Sequence, residues 1–169
     1  MGNARDALTE VDCFSLFITP EMIEIILRHT NARIAIYNER FPTKNISSVT
    51  EVEYRAFLGL WYARGYYQWN YRDYTQIWNP AISHPIFIST MSLKRFKEIL
   101  QFQSFDDKST RPGRWQYDKM ACIREIFEMW NDNCSAHLIA SGVVCVDECL
   151  YTCYNRCGMK TFNPLKPGK

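Results

Sequence analysis

MSLKRFKEILQFQSFDD (Met91–Asp107) carries the clearest structural signal in the chain. Ser92 places a hydroxyl just before a periodic run, where a helix N-terminus needs an acceptor for its unpaired N–H groups. Leu93, Phe96, Ile99, Leu100 and Gln103 then recur at the three- and four-residue spacing of one helix face. The spacing predicts an amphipathic helix that ends at Phe105-Asp106-Asp107. Two adjacent carboxylates invite a metal reading, but chain neighbours usually point apart. Two solvated loop acids are the expected role of Asp106 and Asp107.

Working outward, the same signals recur on both sides. Upstream, Thr19-Pro20-Glu21 reads as a cap, a first-turn proline and an acid at the positive helix end. Met22, Ile23, Ile25, Ile26 and Leu27 give that helix a broad apolar side, to about Tyr37. FPTKNISSVT (Phe41–Thr50) reads as a loop. Thr50 with Glu53 forms a capping box for the next helix. Phe57, Leu58, Leu60, Trp61 and Tyr62 make its apolar part, and Gly65 is expected to end it. Gly59 inside that helix costs roughly 1 kcal/mol relative to alanine, which close approach of another helix would explain.

YYQWNYRDYTQIW (Tyr66–Trp78) is aromatic-rich. Rings beside Arg72 suit base stacking, but no Lys/Arg cluster accompanies them. A packed irregular segment that anchors helices is the preferred reading. Downstream, STRPGR (Ser109–Arg114) reads as a turn-rich loop. Asp118 is expected to cap a helix bearing Met120, Ile123, Ile126, Phe127 and Trp130. The first dozen residues read as a frayed tail.

Ser141-Gly142 breaks the helical pattern. Val143–Val146 is the first convincing β stretch, and it runs into Asp147 and Glu148. Tyr151–Tyr154 would continue it, Asn155 would turn, and Met159–Phe162 would return. The predicted fold class is therefore α+β: a helical body followed by the first strands of a sheet. Two or three strands alone are marginal in water, so the sheet reads as incomplete.

Composition bounds the function. The chain has 169 residues, 47% hydrophobic and 15% aromatic, enough for a real core. Net charge is +2, but after Glu148 no acid occurs while Arg156, Lys160, Lys166 and Lys169 follow. That basic stretch suits a polyanion and a solvated surface equally. MGNARDALTE has no apolar core of a signal peptide, and Arg5-Asp6 stand where a myristoylation pattern wants Ser or Thr. No run of 18 apolar residues predicts a membrane span. Seven cysteines, with no sign of secretion, read as free thiols. Cys145, Cys149, Cys153 and Cys157 recur every fourth residue. Zinc sites favour close pairs held by turns, so small buried residues are preferred over zinc. No phosphate loop, nucleophile elbow or HExxH occurs, and His29, His84 and His137 lie far apart, so no small-molecule substrate is expected.

The markers occur in a recognisable order. FSLFITPEMIEIILRHTN with its Thr30-Asn31 pair, EVEYRAFLGLWYARG, RDYTQIW, MSLKRFKEILQFQSFDD, DKMACIREIFEMWND and VVCVDECLYTCYNRCGMKTFNPLKPGK together resemble the transposase domain of the piggyBac superfamily, including piggyBac-derived proteins. The resemblance runs from about Cys13 to Lys169. It departs at Asn155, where the family has Gly, and at Met159, where the family usually has an aromatic.

The resemblance implies a DDE-type enzyme with three catalytic aspartates in an RNase H-like domain. Asp147 matches the first of them, and Glu148 the residue after it. Two Mg²⁺ ions about 4 Å apart would clamp the reacting oxygens, and hard cations want carboxylate ligands. No residue matches the second or third aspartate, so the chain is expected to be an N-terminal fragment, inactive as given. The implied organisation is a tail (1–12), a helical dimerisation and DNA-binding region (13–139) and the start of the catalytic domain (140–169). Implied partners are double-stranded DNA at transposon ends and a second copy in a homodimer, in the nucleus. Arg156, Lys160 and Lys166 are candidate DNA contacts. A domesticated DNA-binding or dimerising module without catalysis, and a non-functional truncated product, remain alternatives.

Overall fold

The computed structural model describes residues 3–145, and Asp147, Glu148, Arg156, Lys160 and Lys166 lie outside them. The chain divides into two compact units, Thr19–Asp107 and Met1–Ile18 with Lys108–Lys169.

In the Thr19–Asp107 unit, α2 (Pro20–Arg40) follows α1 (Glu10–Phe17) of the other unit. It is succeeded by α3 (Glu51–Tyr66), the short α4 (Tyr74–Ile77) and α5 (Pro85–Thr90), and α6 (Leu93–Phe102). The predicted caps hold. Thr19, Thr50 and Ser92 each accept a backbone N–H of the first turn they precede. The apolar faces of α2, α3 and α6 meet, burying Met22, Ile23, Ile26, Ile34, Tyr54, Phe57, Leu60, Phe96 and Ile99. A fully buried side chain of this size contributes roughly 1.5–3 kcal/mol.

Phe96 sits at the centre. Its ring lies 5.0 Å from Phe57, 4.7 Å from Trp78, 5.6 Å from Tyr74 and 5.9 Å from Trp61. Tyr74 and Trp78 of the aromatic-rich segment thus pack on the helices, the reading preferred for that segment. Trp78 also donates its indole N–H to the Met91 carbonyl at 2.8 Å.

The loop 41–50 is held without any sheet. Val49 N–H donates to Asn31 Oδ1 at 2.7 Å, and Asn31 Nδ2 donates back to the Val49 carbonyl at 3.0 Å. Seven residues on, Asn38 does the same for Ile46, at 2.9 and 2.8 Å. Each side-chain amide replaces one rung of a ladder, so the loop's inward backbone groups stay satisfied.

In the other unit, α1 begins within the stretch expected to be a tail. Thr9 and Asp12 form a reciprocal capping box, a signal as clear as the one at Thr50. α1 packs on α8 (Arg124–His137), where Asn133 Nδ2 donates to the Phe17 carbonyl at 3.2 Å. STRPGR is not wholly loop. Arg111–Trp115 forms the short helix α7, with Pro112 in its first turn, where a missing N–H costs nothing. Asp118 does not cap α8. It closes a turn by accepting from Met120 N–H and pairs with Arg124, so the helix starts later than the apolar spacing indicated.

Two glycine expectations also change. α3 runs past Gly65 to Tyr66, and no described glycine has a positive φ. A Cβ built on Gly59 meets nothing within 4 Å, so no close helix approach explains it.

The α+β expectation is overturned. The described residues are helical, without a strand, so the predicted start of an RNase H-like sheet is not borne out. Val143 and Val144 are 88% and 67% exposed and lie in no ladder. β-branched side chains favour a strand by packing on cross-strand neighbours, and the described residues offer Val143–Cys145 none. The other predicted strand residues, Val146, Tyr151–Tyr154 and Met159–Phe162, fall outside the described residues.

Candidate nucleic-acid interface

The helical unit Thr19–Asp107 builds a rigid frame from residues in the recognised motifs. Arg95 is its hub. Its Nε and Nη2 donate to the two Glu53 oxygens at 2.6 and 2.7 Å, Nη1 and Nη2 donate to the Ser47 and Ser48 carbonyls at 3.0 Å each, and Nη1 reaches Glu98 at 3.3 Å. The Arg95 guanidinium holds the Glu53 carboxyl below its ordinary value, and Glu53 holds the guanidinium protonated. Thr30, fully buried, accepts the Ser104 N–H at 3.1 Å. Tyr54 meets the Gln103 amide at 2.5 Å, and burial pushes its phenol up to about 12.

Asp106 is buried rather than solvated, and its carbonyl accepts from Ser104 Oγ at 3.2 Å. Asp107 is exposed. Among the described residues no group of three or more His, Cys, Asp or Glu side chains is placed to hold a metal. Cys145 is a free, exposed thiol, and Cys149, Cys153 and Cys157 lie outside the described residues.

On the outside of the same unit, the aromatic segment presents a surface. Trp61, Tyr62, Gly65 and Tyr66 line a shallow groove of about 450 Å³ at the end of α3. Beyond it, Gln68 takes a positive φ of 56° and the chain turns back, with Arg72 N–H donating to the Trp69 carbonyl at 3.1 Å. Arg64 braces this turn. It donates to the Trp69 and Asn70 carbonyls at 3.2 and 2.5 Å, and its guanidinium lies 5.2 Å from the Trp61 ring and 5.0 Å from the Tyr74 ring. Arg72 lies over Trp69 at 4.7 Å. Sequence reading missed Arg64; its signal was an arginine three residues after a tryptophan on one helix face.

The Transposase IS4 family matches residues 9–169. The chain belongs to that family. The transposase domain is of piggyBac type, as the motif order implied: its fold matches a piggyBac transposase solved by cryo-EM as a synaptic complex with hairpin DNA. That match has a TM-score of 0.69 and 26% sequence identity, and it covers 78% of this chain. The domain spans only 28% of the length of that piggyBac chain. No curated protein matches. No helix among the described residues of the domain is long and apolar enough to cross a membrane.

Proposed function

We propose that this chain is the DNA-engaging helical portion of a piggyBac-type transposase, acting in the nucleus on double-stranded DNA and pairing with a second copy. The observation that carries the reading is the structural match to a transposase held in a complex with hairpin DNA. The family is generally divalent-metal dependent. In this reading Asp147 is one carboxylate ligand of a Mg²⁺ site whose other carboxylates do not match residues of this chain. A single carboxylate leaves most of the coordination to water, so these 169 residues bind DNA without cutting or joining it. Arg156, Lys160 and Lys166 would add phosphate contacts.

The experiment is a titration of a hairpin-ended DNA duplex with the 169-residue chain at several salt concentrations, with strand cleavage followed in Mg²⁺. Binding that weakens with salt along a straight log–log line, without cleavage, supports the reading, since each phosphate contact releases counterions. No binding at low salt defeats the DNA assignment. Mg²⁺-dependent cleavage defeats the inactivity.

A further inference from the structure

The aromatic segment separates into rings that pack and two that are largely exposed, Tyr66, which still meets Tyr67 edge-on, and Tyr71. Tyr67 and Trp69 make a ring contact with each other, and Tyr67, Trp69 and Trp78 each meet Phe87 of α5, at centroid distances from 5.1 to 6.5 Å. Tyr71 is 102% exposed, at the tip of the turn from Trp69 to Arg72. A large ring fully in water contributes nothing to the core, yet the backbone beneath it is heavily braced. Arg64 pins the carbonyls on both sides of the Trp69–Asn70 junction, and the Trp61 and Tyr74 rings hold Arg64. The neighbouring Arg72 stacks on Trp69 and is paired with no carboxylate among the described residues. The nearest acid in sequence, Asp73, is turned to Thr75, whose N–H and hydroxyl it accepts at 2.8 and 2.6 Å.

We propose that the Trp69–Arg72 turn is a DNA-contacting finger, with the Tyr71 ring lying on a base or sugar and Arg72 pairing with the neighbouring phosphate. The inference rests on the DNA-engaging reading and names a site for it distinct from Arg156, Lys160 and Lys166. Three physical features carry it. A braced turn loses little conformational freedom on binding, so its contacts are not offset by ordering. Tyrosine offers a large, two-torsion ring that stacks on any base. Arginine stacked on an aromatic keeps its N–H fork available for two phosphate oxygens.

The test compares the 169-residue chain with Tyr71→Ala, Tyr71→Phe and Arg72→Gln variants on the same hairpin-ended duplex, by fluorescence anisotropy and thermal melting. Tyr71→Ala is expected to weaken binding about tenfold, the scale of one lost base stack. Tyr71→Phe is expected to bind as wild type does. Arg72→Gln is expected to lower the salt slope by about 1. The Tyr71→Ala and Tyr71→Phe melts are expected to coincide with wild type, because Tyr71 is fully exposed, whereas Arg72→Gln gives up the place over the Trp69 ring and is read by its salt slope. If wild type binds and both Tyr71→Ala and Arg72→Gln bind equally well with unchanged slope, the finger is wrong while the DNA reading stands. If wild type does not bind at all, the DNA reading fails and the finger with it. A lowered melt for Tyr71→Ala overturns the claim that the ring is unpacked.

Discussion

Arg95 and Glu53, forty-two residues apart, meet in a two-pronged ion pair at 2.6 and 2.7 Å. The pair joins α6 to the first turn of α3, and the remaining N–H groups of Arg95 tie down the loop between α2 and α3 through Ser47 and Ser48. Side-chain exposures of 16% and 26% put the pair between a surface bridge and a buried one. Its geometry is of the planar, bidentate kind that lysine cannot reproduce.

Arg95→Lys is therefore expected to destabilise the chain by about 2 kcal/mol, nearly as much as Arg95→Ala, because the fork and both carbonyl contacts are lost in either case. Urea midpoints of the two variants check this. A Lys variant as stable as wild type would mean the charge alone suffices.

The same pair carries an acid dependence. Glu53 has a folded value below its unfolded value of about 4.5. Its contribution is thus full above that unfolded value and disappears as pH falls through the lowered folded one. Glu53→Gln is expected to be clearly less stable than wild type at pH 7, with the gap narrowing as pH falls below about 4.5. Paired denaturation curves across that range decide it; a gap that does not narrow as pH falls would point to shape rather than charge.

Tyr54 gives the mirror case in alkali. Its folded phenol is pushed up to about 12, against about 10 in an unfolded chain. The stability linked to that proton is complete below pH 10 and is lost between pH 10 and 12. Wild type is expected to lose stability from pH 9 to pH 11 faster than Tyr54→Phe. The comparison cancels the other tyrosines and lysines, and equal losses would place Tyr54 in contact with solvent.

Asn31 and Asn38 each hold one backbone rung of the loop 41–50. Asn31→Ala leaves the Val49 N–H and carbonyl without partners, at a cost of about 1–3 kcal/mol. The Val49 amide is expected to exchange with deuterium much faster in that variant, while Ile46, held by Asn38, keeps its protection. Loss of protection at both amides would show that the loop opens as one body.

Much of the helical frame was legible because its signals are local. Thr19, Thr50 and Ser92 sit where their hydroxyls cap, and Phe96 and Ile99 fall on the buried face that their spacing requires. What stayed hidden depends on distant partners. Nothing near Arg95 in sequence names Glu53 or Ser47, and nothing near Asn31 names Val49. The run from Val143 misled for the same reason: valines report a taste for pleated surface, and only a neighbouring strand makes them one. Asp118 misled because an acid before an apolar run also closes a turn when an arginine follows six residues on. The candidate interface was half legible. The ring-rich stretch was visible, but only the fold separates packed rings from the exposed Tyr71. Asp147, read through the motif around it, falls outside the described residues.

Gly59 lies in the middle of α3, exposed, with open space where a Cβ would go. Glycine there costs helix stability through backbone entropy, and no contact within the described residues offsets it. Gly59→Ala is expected to stabilise the free chain by about 0.5–1 kcal/mol, raising its melting temperature by a few degrees. The exposed Tyr62 and Tyr66, one and two turns on, and the half-buried Arg55, one turn back, share that side of the helix. DNA titration of the same variant then separates two roles for the gap. Unchanged binding with a higher melt makes Gly59 a neutral relic of the helix. A higher melt with weakened binding places the bound strand against α3 at this position, since an added methyl obstructs only what approaches closely.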